Sequence, residues 1–193
     1  FEKEKKEVKI YNSLVKNNFE DLGKGDTDLY KAFCWRFFDL VKEGGYVGVV
    51  LPRSATTSLG SKNWRIKVLE NGSFNSIMHL KNNQNWVFDG VGTQYTFSLL
   101  SFTKGFDKGL INISGPHSNF KEFSSNQNNF SKIKLSSLYG WNNDVVFPML
   151  KPNNGLEKLF DKIKNHENFT NFDDANFRYV NEFHATNDKK LMF

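Results

Sequence analysis

The sequence predicts an α/β fold: half of a doubly wound sheet whose last strand is reversed, followed by a small strand-rich tail. Three observations carry this. Helix-like and strand-like segments alternate in short order between Asp26 and Leu80, the pattern of helices covering a largely parallel sheet. Tyr46–Leu51 is a near-continuous apolar run closed by Pro52, as expected of a strand covered on both faces. Gln94–Phe102, a later apolar segment, follows Leu80 through only about a dozen loop residues with no helix, too few for a covered parallel crossover. It should therefore run antiparallel to its neighbour.

The elements follow in order. Phe1–Gly25 mixes charges with few apolar residues and reads as a loop with a short helix at Lys9–Val15. Asp26-Thr27-Asp28 offers N-cap oxygens to the free N–H groups of a first turn. Leu29, Phe33, Phe37, Leu40 and Val41 then recur at helical spacing through to Glu43, and Gly44-Gly45 supplies the left-handed stop. After the first strand, Arg53–Gly60 is a loop of small and hydroxylated residues. Ser61–Glu70 reads as a helix with Trp64 and Val68 one turn apart, ended by Asn71-Gly72. Phe74–Leu80 is the second apolar strand, and Lys81–Gly92 a polar loop with an aromatic centre at Trp86-Val87-Phe88. In Gln94–Phe102, Tyr95, Phe97 and Leu99 share one face and Leu100 and Phe102 the other.

Beyond Lys104 the pattern loosens. Leu110–Ile113 reads as a strand, Ser118–Asn129 as exposed polar chain, and Lys132–Leu138 is ambiguous. Leu156, Leu159, Phe160 and Ile163 form the stripe of a short amphipathic helix. Phe169–Phe193 reads as strand-rich.

Composition narrows the class. With 38% apolar and 24% charged residues among 193, the chain is ordinary globular material rather than a disordered one. The net charge of +5 is spread out, so it carries little weight for nucleic acid. Cys34, the one cysteine, excludes an internal disulfide and points to a reducing, cytoplasmic compartment. The longest strongly apolar run, Val47–Leu51, falls far short of the roughly 20 residues of a membrane span. Phe1–Lys9 is mostly Lys and Glu, unlike a secretory segment. The chain opens on Phe1 rather than Met and stops at Phe193 without a polar tail, so a piece of a longer protein is expected.

General-purpose chemistry is sparse. There is no P-loop, no Gly-x-Gly-x-x-Gly after a strand and no paired cysteines with zinc spacing. His79, His117, His166 and His184 are scattered and lack a partner one turn away, so no metal site is expected. Cys34 lies on the helix expected to pack, where an inert thiol is the simpler reading. Asp173-Asp174 reads as a solvated turn.

The order of three segments is more specific. Asp28-Leu29-Tyr30-Lys31-Ala32-Phe33 runs through Phe37 to Lys42-Glu43-Gly44-Gly45-Tyr46-Val47-Gly48-Val49-Val50-Leu51-Pro52. Trp86-Val87-Phe88-Asp89-Gly90-Val91-Gly92-Thr93 then leads into Tyr95-Thr96-Phe97-Ser98-Leu99-Leu100. Phe183-His184-Ala185-Thr186-Asn187-Asp188-Lys189-Lys190-Leu191-Met192-Phe193 comes last. This order resembles the adenine-specific DNA methyltransferase domain of restriction–modification enzymes that carry methylase and specificity region in one polypeptide. The resemblance is strongest over about Asp26–Lys104 and looser at the end.

The resemblance implies the C-terminal half of a doubly wound, Rossmann-like methyltransferase core with a reversed final strand. It implies S-adenosylmethionine as cofactor, duplex DNA as partner, and methyl transfer to the exocyclic amino group of an adenine turned out of the helix. Phe1 would be the aromatic of the family's Asn-Pro-Pro-aromatic motif, which grips that amino group and stacks on the base. Phe33 aligns with an aromatic that packs on the cofactor's adenine ring, or is a helix core residue. Phe88 aligns with the loop aromatic that stacks on the flipped base, or anchors its loop to the core. Arg53, beyond the strand-ending Pro52, lies where such sheets bind ligands and is a candidate for phosphate, against a merely solvated Arg. Lys81 and Asn82-Asn83-Gln84-Asn85 are candidates for DNA contact, against polar loop residues that touch only water. Asp89 replaces a Pro common in relatives, which leaves the loop's path open.

By this reading 1–104 is the C-terminal half of the methyltransferase core, 105–168 a connecting region and 169–193 the start of the target-recognition region. The family's Gly-rich cofactor loop, its ribose-gripping acid and its Asn-Pro-Pro are absent from the sequence. The rest of the same polypeptide, or a complementary fragment, is the expected partner, and the chain alone is expected to be inactive. The competing reading is a non-catalytic α/β module for DNA or subunit binding, from a split or decayed methyltransferase.

Overall fold

The computed structural model describes residues 1–19, 22, 28–105, 109–152 and 155–164. The strand-rich reading of 169–193, and with it the third segment of the resemblance, lies outside them.

Five strands form one mixed sheet in the order β1-β3-β2-β4-β5: β1 (Tyr46–Pro52), β2 (Gly72–Lys81), β3 (Thr96–Lys104), β4 (Leu110–His117) and β5 (Ser131–Lys134). The α/β class and the reversed strand are as the sequence indicates. β3 enters between β1 and β2 and runs antiparallel to both, with Val49 opposite Leu100 and Ile77 opposite the same Leu100. β1 and β2 therefore point the same way, and β4 continues the sheet parallel to β2 before β5 turns back.

One face carries the core. Val47, Val49 and Leu51 from β1, Phe74 and Ile77 from β2, Leu100 and Phe102 from β3, Ile111 and Ile113 from β4 and Ile133 from β5 pack in one cluster. Helices α2 (Leu29–Leu40), α4 (Lys62–Glu70) and α6 (Leu135–Trp141) cover it with Cys34, Phe38, Trp64, Val68 and Leu138, joined by Val145, Phe147 and Leu150. The Trp64 ring meets Phe74 and Phe102 edge-on, at centroid distances of 5.5 and 5.9 Å, the geometry that aromatic quadrupoles favour. Trp64 and Val68 do share the buried side of α4.

Several details depart from the sequence reading. The opening segment is not a loop with a short helix but a helix, α1 (Glu2–Asn18), with only Val15 buried. Its Glu and Lys residues lose little freedom in a helix, and Glu2 and Glu4 near the N-terminus with Lys16 in the last turn suit the helix dipole. In α2 the expected stripe is the wrong one. Leu29, Phe33 and Leu40 are exposed, and Lys31, Ala32, Cys34 and Phe38 are buried. The helix is apolar on more than one side, so periodicity alone does not select its core face. Asp28 occupies the N-cap position without a side-chain cap hydrogen bond, and the helix stops at Leu40, before Gly44-Gly45. There Gly44, at φ 75°, turns the chain so that its N–H donates to the Lys104 carbonyl (2.8 Å) at the end of β3.

β1 is not covered on both faces. Val47, Val49 and Leu51 face the core, while Tyr46, Gly48 and Val50 are exposed, and β1 lies at the sheet's edge with β3 as its sole strand neighbour among the described residues. Between β1 and α4, a helical turn α3 (Ser54–Thr57) and a 3-10 turn (Leu59–Ser61) replace the expected loop. Further along, α5 (Phe120–Ser125) packs beside β4, the ambiguous 132–138 segment divides into β5 and α6, and the last described helix is α7 (Leu156–Lys164). Of the α7 stripe, Phe160 is buried, whereas Leu159 and Ile163 stand exposed.

Candidate functional site

β1 and β2 end together, at the edge where open α/β sheets place ligands. Pro52 and Leu80 both lie opposite Phe97 across β3, and Lys81 lies opposite Thr96. The Arg53 N–H donates to the Thr96 carbonyl (3.0 Å), continuing the ladder one step past β1. The Arg53 carbonyl in turn accepts from the Thr56 N–H (2.9 Å) and hydroxyl (2.8 Å). Its backbone is thus fixed from both sides while the side chain stands exposed. Beside it opens an apolar groove of about 400 Å³, lined by Arg53, Thr57, Phe147, Met149, Leu159 and Ile163 among others.

The loop from β2 to β3 rises over this edge and carries Phe88. The ring is 42% exposed and meets Phe97 at a centroid distance of 4.7 Å with planes at 70°. It is neither sunk in the core nor loose on the surface. The loop is held from below by Asn82, which is fully buried. Asn82 Oδ1 accepts from the N–H groups of Val87 (3.1 Å) and Phe88 (3.0 Å), and Nδ2 donates to the carbonyls of Phe88 (3.1 Å) and Val91 (2.8 Å). Trp86 fixes the outer side, its indole N–H donating to the Lys81 carbonyl (2.6 Å). Asp89 precedes Gly90, which adopts φ 71°, so the chain turns where glycine has no steric penalty.

Under the edge lies a buried polar layer. His79 and Ser98 face each other on the core side, Nδ1 to Oγ 3.0 Å, and both are fully buried. Burial, then the positive charges of Arg53 and His117, push the His79 pKa down to about 4, so the imidazole is neutral at neutral pH. Arg65, also fully buried, donates to the carbonyls of Ala55, Ser58, Asp144 and Val145 at 2.8–3.1 Å. Its pKa falls to about 10, chiefly through burial, with Asp144 and Tyr30 opposing. It remains charged and clamps the turn after Arg53 to the 144–145 segment. The Tyr30 hydroxyl stands 3.3 and 3.2 Å from the Ser58 and Ser61 hydroxyls, tying α2 to the same turn.

The residues picked out from sequence are distributed as follows. Phe88, Arg53 and Lys81 all sit at the one edge, and Arg53 and Lys81 are exposed. Of the polar cluster after Lys81, Asn83, Gln84 and Asn85 are exposed but Asn82 is interior, so DNA contact does not fit Asn82. Phe33 is 52% exposed on α2 and stacks on Phe37 (5.9 Å, planes at 21°), so it is not a core residue. Phe1 is 90% exposed at the head of α1, and its described contacts, with Glu4 and Lys5, lie within its own helix. Cys34 is the inert thiol expected: it is buried, and burial pushes its pKa up to about 12. Sequence reasoning missed Asn82, Phe97, Tyr30 and Arg65 as organisers of the edge. Only Tyr30 and Phe97, which lie inside the segments that carry the resemblance, left a signal there. Among the described residues no cluster of His, Cys, Asp and Glu could hold a metal ion, and no helix is long and apolar enough to cross a membrane.

The family described as Eco57I restriction-modification methylase matches residues 1–88. Its span covers α1, α2, β1, α4 and β2 and ends on Phe88 itself. No curated protein matches. Among solved structures, a modification subunit of a putative type I restriction enzyme from Vibrio vulnificus YJ016 is similar at 20% identity with a TM-score of 0.48, over 66% of this chain and 33% of that one. The chain thus spans about a third of that subunit's length. Residues 1–88, a little under half of the chain, are thus similar to a restriction-modification methylase domain.

Proposed function

We propose that the whole protein is an adenine-N6 DNA methyltransferase of a restriction–modification system. This chain would supply the C-terminal half of its catalytic core (1–104), a connecting region (105–168) and the start of its target-recognition region (169–193). The observation that carries the reading is the half-exposed Phe88 ring, propped on Phe97 at the shared end of β1 and β2, inside the stretch that matches the methylase family. An aromatic face so placed receives a base turned out of the duplex. Stacking there is worth about 1–3 kcal/mol and suits any base, so Phe88 holds the adenine rather than identifying it. Arg53 and Lys81 add exposed positive charge at the same sheet edge, available to phosphates.

The cofactor is S-adenosylmethionine, which supplies an activated methyl group when bound. Phe33 offers it a flat apolar face, exposed and stacked on Phe37, that fits the adenine ring. Phe1 would stand on the other side of the target base. The tasks of this chain's residues are to orient the base and cofactor and exclude water, since bringing the reacting atoms into line is the larger part of such a transfer.

The test is incubation of the full-length protein with long unmethylated bacterial DNA and labelled S-adenosylmethionine, followed by nucleoside analysis. N6-methyladenine is the expected product; methylated cytosine, or none, contradicts the reading. Phe33→Ala should weaken S-adenosylmethionine binding, and an unchanged dissociation constant removes that role.

A further inference from the structure

We infer that Asn82 is the positioning residue of the base-stacking loop, holding Phe88 in place by side-chain bonds to the loop's own backbone. This rests on the reading of Phe88 given above and extends it to a residue that touches neither base nor cofactor.

The loop between β2 and β3 leaves the ladder at Lys81 and rejoins it at Thr96. Between them, backbone groups that a strand would have paired need other partners. Asn82 supplies four of them. Its carboxamide has two acceptor sites on oxygen and two donor hydrogens on nitrogen, and all four are in use, toward Val87, Phe88 and Val91. The network also fixes which way the amide faces, because two N–H groups converge on one end and two carbonyls on the other.

Two features make this positioning rather than generic packing. First, Asn82 is itself tied to the sheet: its N–H donates to the Tyr95 carbonyl at 2.9 Å, directly before β3. Second, Phe88 is held at both of its backbone polar groups, N–H and C=O, by one side chain. The ring then rests on Phe97 of the same β3. Sheet, amide, backbone and ring thus form a closed circuit, and the ring's height above the edge is set by Asn82. Ala at this position would leave two part-buried N–H groups and two carbonyls without that partner, and the loop would relax toward water. No other side chain of similar reach both donates twice and accepts twice; Asp keeps the acceptor end but loses the donors.

The test is made in the full-length protein with Asn82→Ala and Asn82→Asp. Amide exchange at Val87 and Phe88 should be at least about tenfold faster in Asn82→Ala, with the β2–β3 ladder still protected. In the methylation assay, kcat should fall by about tenfold or more with KM for S-adenosylmethionine nearly unchanged, the pattern of a misplaced group that binds only the reacting state. Asn82→Asp should restore slow exchange at Val87 and Phe88 and recover part of kcat. Wild-type exchange at both amides in Asn82→Ala overturns the proposal, as does wild-type kcat in a variant whose loop has loosened. If Asn82→Ala does not fold, Asn82→Asp carries the test, and fast exchange at Val87 and Phe88 in that variant overturns it. Wild-type turnover in Phe88→Ala would instead remove the reading of Phe88, and the exchange result would stand apart from it.

Discussion

The ring of Phe88 meets that of Phe97 nearly edge-on, 4.7 Å between centroids and 70° between planes. Because Phe97 pairs with Pro52 on one side and Leu80 on the other, a loop residue is referenced to three strands at once. A double-mutant cycle of Phe88→Leu and Phe97→Leu, read by urea unfolding, should give a coupling of about 0.5–1.5 kcal/mol. Additive effects would mean that the rings do not support each other.

His79 gives a pH signature. Its imidazole takes a proton near pH 6.5 in the unfolded chain but only near pH 4 in the fold. Between these values the unfolded state binds more protons, so stability is full above about pH 6.5 and is lost as pH falls toward 4, by on the order of 3 kcal/mol. His117, also held below its ordinary range mainly by burial, acts in the same direction. Urea titrations across this window should show the slope, and His79→Gln should flatten most of it; an unchanged slope would contradict the assignment.

Arg65 is a buried cation whose partners are carbonyls of two separate segments. Arg65→Met leaves those carbonyls unpaired in the interior and should cost on the order of 3–5 kcal/mol in urea unfolding. Arg65→Lys, with fewer donors in a different shape, should recover only part of this. A loss below about 1 kcal/mol for Arg65→Met would place the guanidinium in water instead.

Cys34 should resist thiol reagents. Its thiol is buried, with a pKa raised to about 12, and it is the thiolate that reacts. Labelling with a disulfide reagent should be slow in native buffer and rapid in denaturant; fast native labelling would contradict the packing of α2.

Much of the sheet was legible because its signals are local. The apolar runs of β1 and β2 and the short connection that reverses β3 can be read from neighbouring residues, whereas α2 ends at Leu40, short of the expected stop at Gly44-Gly45. What was not legible depends on distant partners. The core face of α2 was misread because Phe33 and Phe38 look alike in sequence, and only packing against Phe102 picks out Phe38. β1 read as doubly covered although Val50 is exposed, since hydrophobicity does not say which neighbour is present. Asn82 looked like one more polar loop residue, and its role exists only once Phe88 and Val91 close over it. Arg65 left no signal in the sequence, because its partners at 144–145 lie some 80 residues away along the chain.

The most direct measurement compares wild type with Phe88→Ala in the full-length protein, following single-turnover methylation of unmethylated DNA alongside the dissociation constant for S-adenosylmethionine. Loss of a stacking face worth about 1–3 kcal/mol predicts a rate lower by roughly fivefold to 150-fold, with cofactor affinity held within about twofold. An undiminished rate, or a loss explained wholly by weaker cofactor binding, would contradict the placement of this ring against the base.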